Sequence, residues 1–243
     1  MRYELVSYEL VIFDNDGVLV DSERLSNTIL AGYLTELGHP TSYEDSLRDF
    51  MGAAVHRVHD LVQERTGQRL PADFDEVLHA RVFAAFEREL TPVDGVVEVI
   101  EKLAAGGVPY CLASSGSHER IRVGHRKTGL DRLFPHSNGN GNGSGEGGGA
   151  GEDGTDNVVF SAQDVGRGKP APDLFLHAAA RMGVAPERCA VVEDSPLGVQ
   201  AAQSAGMDVY AFTAMTPARK LPGATGYFAK MAELPGLLAR SVA

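Results

Sequence analysis

The sequence has little of what a disulfide-bonded or membrane-spanning protein requires. It has no tryptophan and only two cysteines, Cys111 and Cys189, whose wide separation does not predict a disulfide framework. No apolar run reaches the ~18 residues that a membrane-spanning helix needs. Glu4 and Glu9 near the N-terminus are atypical of a signal or transit peptide. We therefore expect a cytoplasmic protein whose two cysteines are buried and reduced.

Positive charge is also scarce. The chain has 22 Lys and Arg against 33 Asp and Glu, which gives a net charge of −11, and the basic residues form no stripe. This argues against a nucleic acid or an anionic membrane as the partner. An acidic surface also repels anionic substrates, so any phosphate site needs a local positive charge or a metal ion. The 243 residues, 43% of them apolar, suffice for a buried core.

Five short apolar runs predict a parallel β-sheet. They are 10–13, 108–113, 158–160, 190–192 and 209–212. Their apolar residues do not alternate with polar ones, which is typical of strands buried on both faces. Helical patterns lie between them, at 92–105, 117–129, 172–183 and 196–206. The order predicts an α/β fold with a Rossmann-like parallel sheet core.

Two segments interrupt this alternation. Residues 22–91 show helical spacing and no strand-like run, which predicts an inserted α-helical cap domain. Residues 1–21 and 92–243 would then form the catalytic core. Residues 137–157 are rich in glycine and almost without apolar side chains, so we expect a flexible surface loop within the core, remote from the chemistry.

Acidic, hydroxyl and amino side chains follow four of the predicted strands. Because the carboxyl ends of parallel strands meet at one edge of a sheet, we expect these side chains to lie close together. Carboxylates that lie close together repel each other unless a cation or a proton intervenes. The group is suited to holding a divalent cation together with a phosphate. In chain order it consists of Asp14, Asp16, Ser114, Ser115, Lys169, Glu193 and Asp194.

The four motifs that contain these residues read FDNDGVLVDSE, CLASSGS, GKPAPDLF and VVEDSPLGV. In this order they resemble the haloacid dehalogenase (HAD) superfamily, in the branch (subfamily IA) whose helical cap follows the first strand. The resemblance implies a Mg²⁺-dependent phosphatase of small phosphorylated metabolites, such as a sugar phosphate or a sugar-acid phosphate. It also implies an aspartyl-phosphate intermediate.

The resemblance assigns a role to each residue of the motifs. Asp14 resembles the nucleophile, and Asp16 resembles the general acid that later acts as a base. Ser114, Ser115 and Lys169 resemble the groups that bind the phosphate.

The resemblance also implies a set of metal ligands. Asp194 resembles the Mg²⁺ anchor, with Glu193 as a further ligand or a neighbour of one. Asp14 would add its carboxylate and Asp16 its main-chain carbonyl.

Two alternatives remain open. The β-phosphoglucomutase branch shares these residues, but it usually carries a histidine where this chain has Ser26. A non-catalytic binding module with the HAD fold is the other alternative, although such modules usually lose Asp14 or Asp16. Phosphonatases use a cap lysine to form a Schiff base, and residues 22–91 contain no lysine.

Three expectations concern other residues. Arg24, Arg48 and Arg57 in the predicted cap are candidates to bind a second anionic group of the substrate. Ser117 is expected to cap the helix that follows the second strand, with Arg120 or Glu119 solvated on that helix. We expect a monomer or a weak homodimer.

Overall fold

The computed structural model of the chain describes residues 8–50, 55–135 and 158–239. Within these described residues, six parallel strands form one sheet in the order β3-β2-β1-β4-β5-β6. This is a doubly wound arrangement, so the predicted α/β Rossmann-like fold class is confirmed. The strands are β1 (Leu10–Phe13), β2 (Tyr110–Ser114), β3 (Val159–Ser161), β4 (Cys189–Glu193), β5 (Asp208–Phe212) and β6 (Gly226–Phe228).

Hydrophobic clusters cover both faces of the sheet. Val11 and Phe13 of β1 belong to one cluster, and Leu10 and Ile12 belong to the other, as the period of two along a strand requires. Continuous apolar runs therefore form the strands because each face has its own layer of helices. The first cluster includes residues of α5 (Val96–Ala105), α6 (His118–Thr128) and α9 (Leu234–Leu238), and the second includes residues of α7 (Asp173–Arg181) and α8 (Pro196–Ser204).

Five of the six strands agree with the predicted runs to within two residues at either end. The sequence did not predict β6, which has three residues and pairs with β5. It begins with Gly226, and the side chain of Tyr227 is 43% exposed. A strand of this kind lacks the apolar run by which the others are recognised.

In the described ranges 8–50 and 55–135, four helices lie between β1 and α5. They are α1 (Ser22–Glu36), α2 (Tyr43–Phe50), α3 (His56–Thr66) and α4 (Phe74–Glu89). The rings of Tyr33 and Phe74 stack with their centroids 5.1 Å apart, which joins α1 to α4. The division into a core and a cap stays a prediction. The predicted glycine-rich loop, 137–157, lies outside the described residues.

The described helices also bear on the membrane prediction. In residues 8–50, 55–135 and 158–239, no helix is both long and apolar enough to cross a bilayer.

Candidate active site

A cavity of about 480 Å³ lies at the carboxyl ends of the central strands. The chain builds outward from β1 through β2 to β3 on one side, and from β4 to β6 on the other. The order therefore reverses between β1 and β4, which is where open α/β sheets bind ligands. Six predicted site residues line this cavity, which we call the catalytic cavity: Asp14, Asp16, Ser115, Lys169, Glu193 and Asp194.

The ammonium group of Lys169 joins the ends of three strands. Its Nζ donates to Asp14 Oδ1 at 2.6 Å, to Glu193 Oε1 at 2.6 Å and to the carbonyl oxygen of Ala113 at 3.1 Å. These three bonds match the three donors of an ammonium group. Burial alone would lower the pKa of Lys169, but the charges of Asp14 and Glu193 outweigh it and raise that pKa. Lys169 is therefore a fixed, buried cation at this edge.

The carboxylate of Glu193 is held by the start of α8. Its Oε2 accepts the main-chain N–H groups of Asp194 and Ser195, both at 3.0 Å, and the Ser195 hydroxyl at 2.9 Å. Gly198 leaves room for it, because a methyl group there would lie 1.8 Å from Glu193 Oε1. Both oxygens of Glu193 are thus engaged, one by the residues that precede α8 and the other by Lys169. This geometry favours Glu193 as the residue that orients Lys169.

Three buried carboxylates could hold a metal ion here. Asp14, Glu193 and Asp194 each offer an oxygen within 4.8 Å of the others. Burial raises the pKa of both Asp14 and Asp194, and neighbouring carboxylates raise it further, while Lys169 lowers it. One lysine does not balance three carboxylates. The donor set therefore fits a hard divalent cation such as Mg²⁺, which prefers carboxylate oxygens.

Gly17 provides the space for Asp194. Its φ is +79°, in the region that favours glycine, and a methyl group on its Cα would lie 2.1 Å from Asp194 Oδ2. The glycine of the FDNDG motif thus lets the loop after β1 approach the acidic end of β4.

Asp16 pairs with a residue that the sequence did not assign to the site. Arg120 Nη2 donates to Asp16 Oδ1 at 2.7 Å, and its guanidinium lies 4.8 Å from the centre of the Phe86 ring. Burial would raise the pKa of Asp16, but the charge and hydrogen bond of Arg120 outweigh it, so that pKa is lowered. The sequence left either Arg120 or Glu119 as the solvated residue of this helix. Glu119 is exposed, whereas only 26% of the Arg120 side chain is exposed.

A signal for Arg120 was present in the sequence. Ser117 caps α6 as predicted, and its hydroxyl accepts the main-chain N–H of Arg120 at 3.2 Å. Arg120 therefore lies in the first turn of a helix that directly follows β2. Such a turn is at the carboxyl edge of the sheet, where the other site residues lie.

The two serines of the CLASSGS motif occupy different positions. Ser114 is fully buried, and its Oγ accepts the main-chain N–H of Gly116 at 2.9 Å. Ser115 lines the catalytic cavity. The Ser161 hydroxyl donates to the Gly116 carbonyl at 2.7 Å, which ties this turn to the end of β3. Phosphate binding by Ser114 and Ser115 stays a prediction.

Comparison with known proteins identifies the family. Residues 8–206 match the family model described as a haloacid dehalogenase-like hydrolase. The chain belongs to this family. Membership confirms the recognised resemblance and the prediction that the protein is an enzyme.

Curated and structural relatives of this HAD hydrolase cover most of its length. The 6-phosphogluconate phosphatase of Escherichia coli (strain K12) is 30% identical, over 85% of this chain and 83% of the relative. Hexitol phosphatase A of the same organism is 28% identical, over 84% and 82%. The crystal structure of a conserved haloacid dehalogenase-like protein of unknown function from Agrobacterium tumefaciens is 32% identical, with a TM-score of 0.81 over 96% of this chain and 98% of that one. Both of the E. coli relatives are named phosphatases.

Proposed function

We propose that this hydrolase is a Mg²⁺-dependent phosphatase that cleaves a small phosphorylated metabolite of the sugar-phosphate class. The observation that carries the proposal is the Lys169 ammonium group, which bonds Asp14 and Glu193 at 2.6 Å each beside a cavity that Asp16 also lines. Phosphoryl transfer needs an aligned nucleophile and positive charge near the phosphoryl oxygens. The two E. coli relatives, both named phosphatases, support the same reaction class.

In the first half of the reaction, the Asp14 carboxylate attacks phosphorus. A bond forms between Asp14 and phosphorus, and the bond from phosphorus to the leaving oxygen breaks. Asp16 gives its proton to that oxygen, which departs as an alcohol. The Lys169 ammonium offsets the negative charge of Asp14 and of the phosphoryl group.

In the second half, water attacks the phosphorus of the aspartyl phosphate. Asp16, now ionised, accepts the proton of the water, and Asp14 leaves as a free carboxylate with release of orthophosphate. The Arg120 ion pair favours this ionised form of Asp16. Proton donation by Asp16 in the first half therefore requires that the ion pair between Asp16 and Arg120 lengthens or breaks.

Two of the three buried carboxylates, together with a main-chain carbonyl, would form the metal site. Asp14 and Asp194, with the main-chain carbonyl of Asp16, would hold Mg²⁺, which when bound neutralises charge on the phosphoryl oxygens. Glu193 would remain on Lys169, because both of its oxygens are engaged.

The test uses p-nitrophenyl phosphate with Mg²⁺ or with EDTA. We expect turnover with Mg²⁺ alone and none for Asp14→Asn, whereas Asp60→Asn, an exposed position on α3, keeps the wild-type rate. Asp16→Asn should accumulate a hydroxylamine-sensitive phosphoenzyme, because a nitrophenolate leaves without a proton while the water still needs a base. Mg²⁺-independent turnover, or an active Asp14→Asn variant, would contradict the proposal.

We also infer a cytoplasmic protein that is a monomer or a weak homodimer. Cys111 and Cys189 are buried free thiols, which suits a reducing compartment. Light scattering after size-exclusion chromatography, at two protein concentrations, tests the oligomeric state.

A further inference from the structure

A second cavity, of about 670 Å³, lies beside the catalytic one, and we call it the helical cavity. Residues of α1, α2, α3, α4 and α6 line it, and its volume is within the range of small-ligand sites. Glu23 lines both cavities. Asp16, which lines the catalytic cavity, accepts a hydrogen bond of 2.7 Å from Arg120, which lines the helical cavity. The proposed proton donor is therefore hydrogen-bonded to a residue in the wall of the helical cavity.

Much of the wall of the helical cavity is apolar. Apolar side chains can pack against the carbon–hydrogen groups of a ligand, but they offer an anionic group no hydrogen-bond donor. They belong to Leu30, Phe50, Val58, Leu78 and Val82.

The charged groups of the helical cavity are mostly acidic. Glu23, Asp75 and Glu76 line it, against the basic residues Arg120 and His79. The charge of Arg120 is already engaged by the carboxylate of Asp16. A second anionic group on the substrate would therefore meet carboxylates without a free guanidinium to offset them.

In the described part of the chain, the arginines of residues 22–91 also leave the helical cavity without a free positive charge for a second anionic group. Residues 22–91 contain seven arginines and no lysine, and among the described residues of the cavity wall none of the seven is present. Arg24, Arg48 and Arg57 each pair with a nearby acidic residue, at 2.7, 2.8 and 3.7 Å. Residues 51–54, Met-Gly-Ala-Ala in the sequence, add no charge. Their absence from the cavity wall and their ion pairs disfavour the expectation that these three arginines bind a second anionic group of the substrate.

We propose that the helical cavity takes the leaving group, and that this group is an uncharged polyhydroxy alcohol rather than a sugar acid. The proposal rests on the proposed phosphatase function and narrows its substrate class. The two E. coli relatives differ in this property, because a hexitol is uncharged and a gluconate carries a carboxylate. A carboxylate a few ångströms from Glu23 and Glu76 should weaken binding by about tenfold or more.

The test compares sorbitol 6-phosphate with 6-phosphogluconate, which differ only in a hydroxymethyl or a carboxylate group at C1. For each compound we would measure kcat/KM with Mg²⁺, and Ki against p-nitrophenyl phosphate hydrolysis, at pH 8, where imidazoles are ordinarily neutral. We expect kcat/KM to be at least about tenfold higher, and Ki correspondingly lower, for sorbitol 6-phosphate. The Ki comparison is informative even if one compound is not hydrolysed.

Matched variants separate the local effect from the overall charge of the chain. Glu23→Gln and Glu76→Gln should each reduce the preference several-fold, through the KM and Ki of 6-phosphogluconate. Glu87→Gln makes the same change in net charge at an exposed position of α4. This control should leave the preference unchanged.

Three outcomes would overturn the inference. The first is equal or tighter binding of 6-phosphogluconate by the wild type, and the second is the same shift in Glu87→Gln as in Glu76→Gln. The third is selective loss of 6-phosphogluconate binding in Lys220→Ala, with sorbitol 6-phosphate still bound, since Lys220 lines the catalytic cavity and would then be the group that binds the carboxylate. Failure to hydrolyse p-nitrophenyl phosphate would instead refute the proposed function.

Discussion

Gly198→Ala offers a direct test of how Lys169 is held. Gly198 lies near the start of α8, with the Glu193 carboxylate against its Cα. An added methyl group would lie 1.8 Å from Glu193 Oε1 and 1.9 Å from its Cδ. Glu193 is fully buried, and its oxygens accept hydrogen bonds from Lys169 and from the two residues that precede α8, Asp194 and Ser195. The alanine must therefore displace this carboxylate.

The expected cost follows from two contributions. Overpacking of a buried site typically destabilises by about 1–3 kcal/mol, and removal of one partner of a buried ion pair by about 3–5 kcal/mol. Since Glu193 would be displaced but not deleted, we expect the free energy of unfolding to fall by about 3 kcal/mol. Lys169 would lose one of its two carboxylate partners, and misplacing a charge-stabilising donor typically lowers kcat by about 10²–10³-fold.

Urea denaturation gives the stability, and hydrolysis of p-nitrophenyl phosphate gives kcat. The matched control is Gly32→Ala, in α1, where no atom apart from the neighbouring residues and the backbone of the same helix lies within 4 Å of the added methyl group. This control should raise the stability by about 0.5–1 kcal/mol through helix propensity and leave kcat unchanged. Wild-type stability and kcat in Gly198→Ala would refute the reasoning that Glu193 orients Lys169.

The remaining predictions concern charge, metal and thiols. Lys169→Met should lower turnover at least about 10²-fold and the free energy of unfolding by about 3–5 kcal/mol, because it leaves buried carboxylates unpaired; wild-type urea denaturation would contradict this. Millimolar Mg²⁺ should raise the Tm of the wild type but not of Asp194→Asn, as calorimetry can measure. Burial raises the pKa of Cys189 to about 11 and that of Cys111 well above its usual range. At pH 8 only about one Cys189 thiol in a thousand is therefore ionised, so alkylation by iodoacetamide should be slow in the native protein, rise with pH, and be fast after unfolding. Equal rates in the native and unfolded protein would contradict the buried positions.

The parallel sheet and most of the candidate site could be predicted from the sequence, for one physical reason. Strands covered on both faces are continuously apolar, and the first polar residues after them lie at the edge where ligands bind. Asp14 and Glu193 were found in this way, and Lys169 follows the third predicted strand past a loop. The structure places Lys169 Nζ 2.6 Å from a carboxylate oxygen of each of the two acidic residues. β6 lacks an apolar run and was missed.

The sequence by itself determined which residue types stand at the strand ends, because burial and turn geometry act over a few neighbouring positions. Only the tertiary structure decided which charges pair. Asp16 and Arg120 are 104 positions apart, and Asp14 and Lys169 are 155 apart. With 33 acidic and 22 basic residues in the chain, partner choice depends on distances that the folded backbone sets. The folded backbone also brings Glu193 into hydrogen-bonding distance of Lys169. Among the described residues, it leaves no unpaired arginine in the wall of the helical cavity.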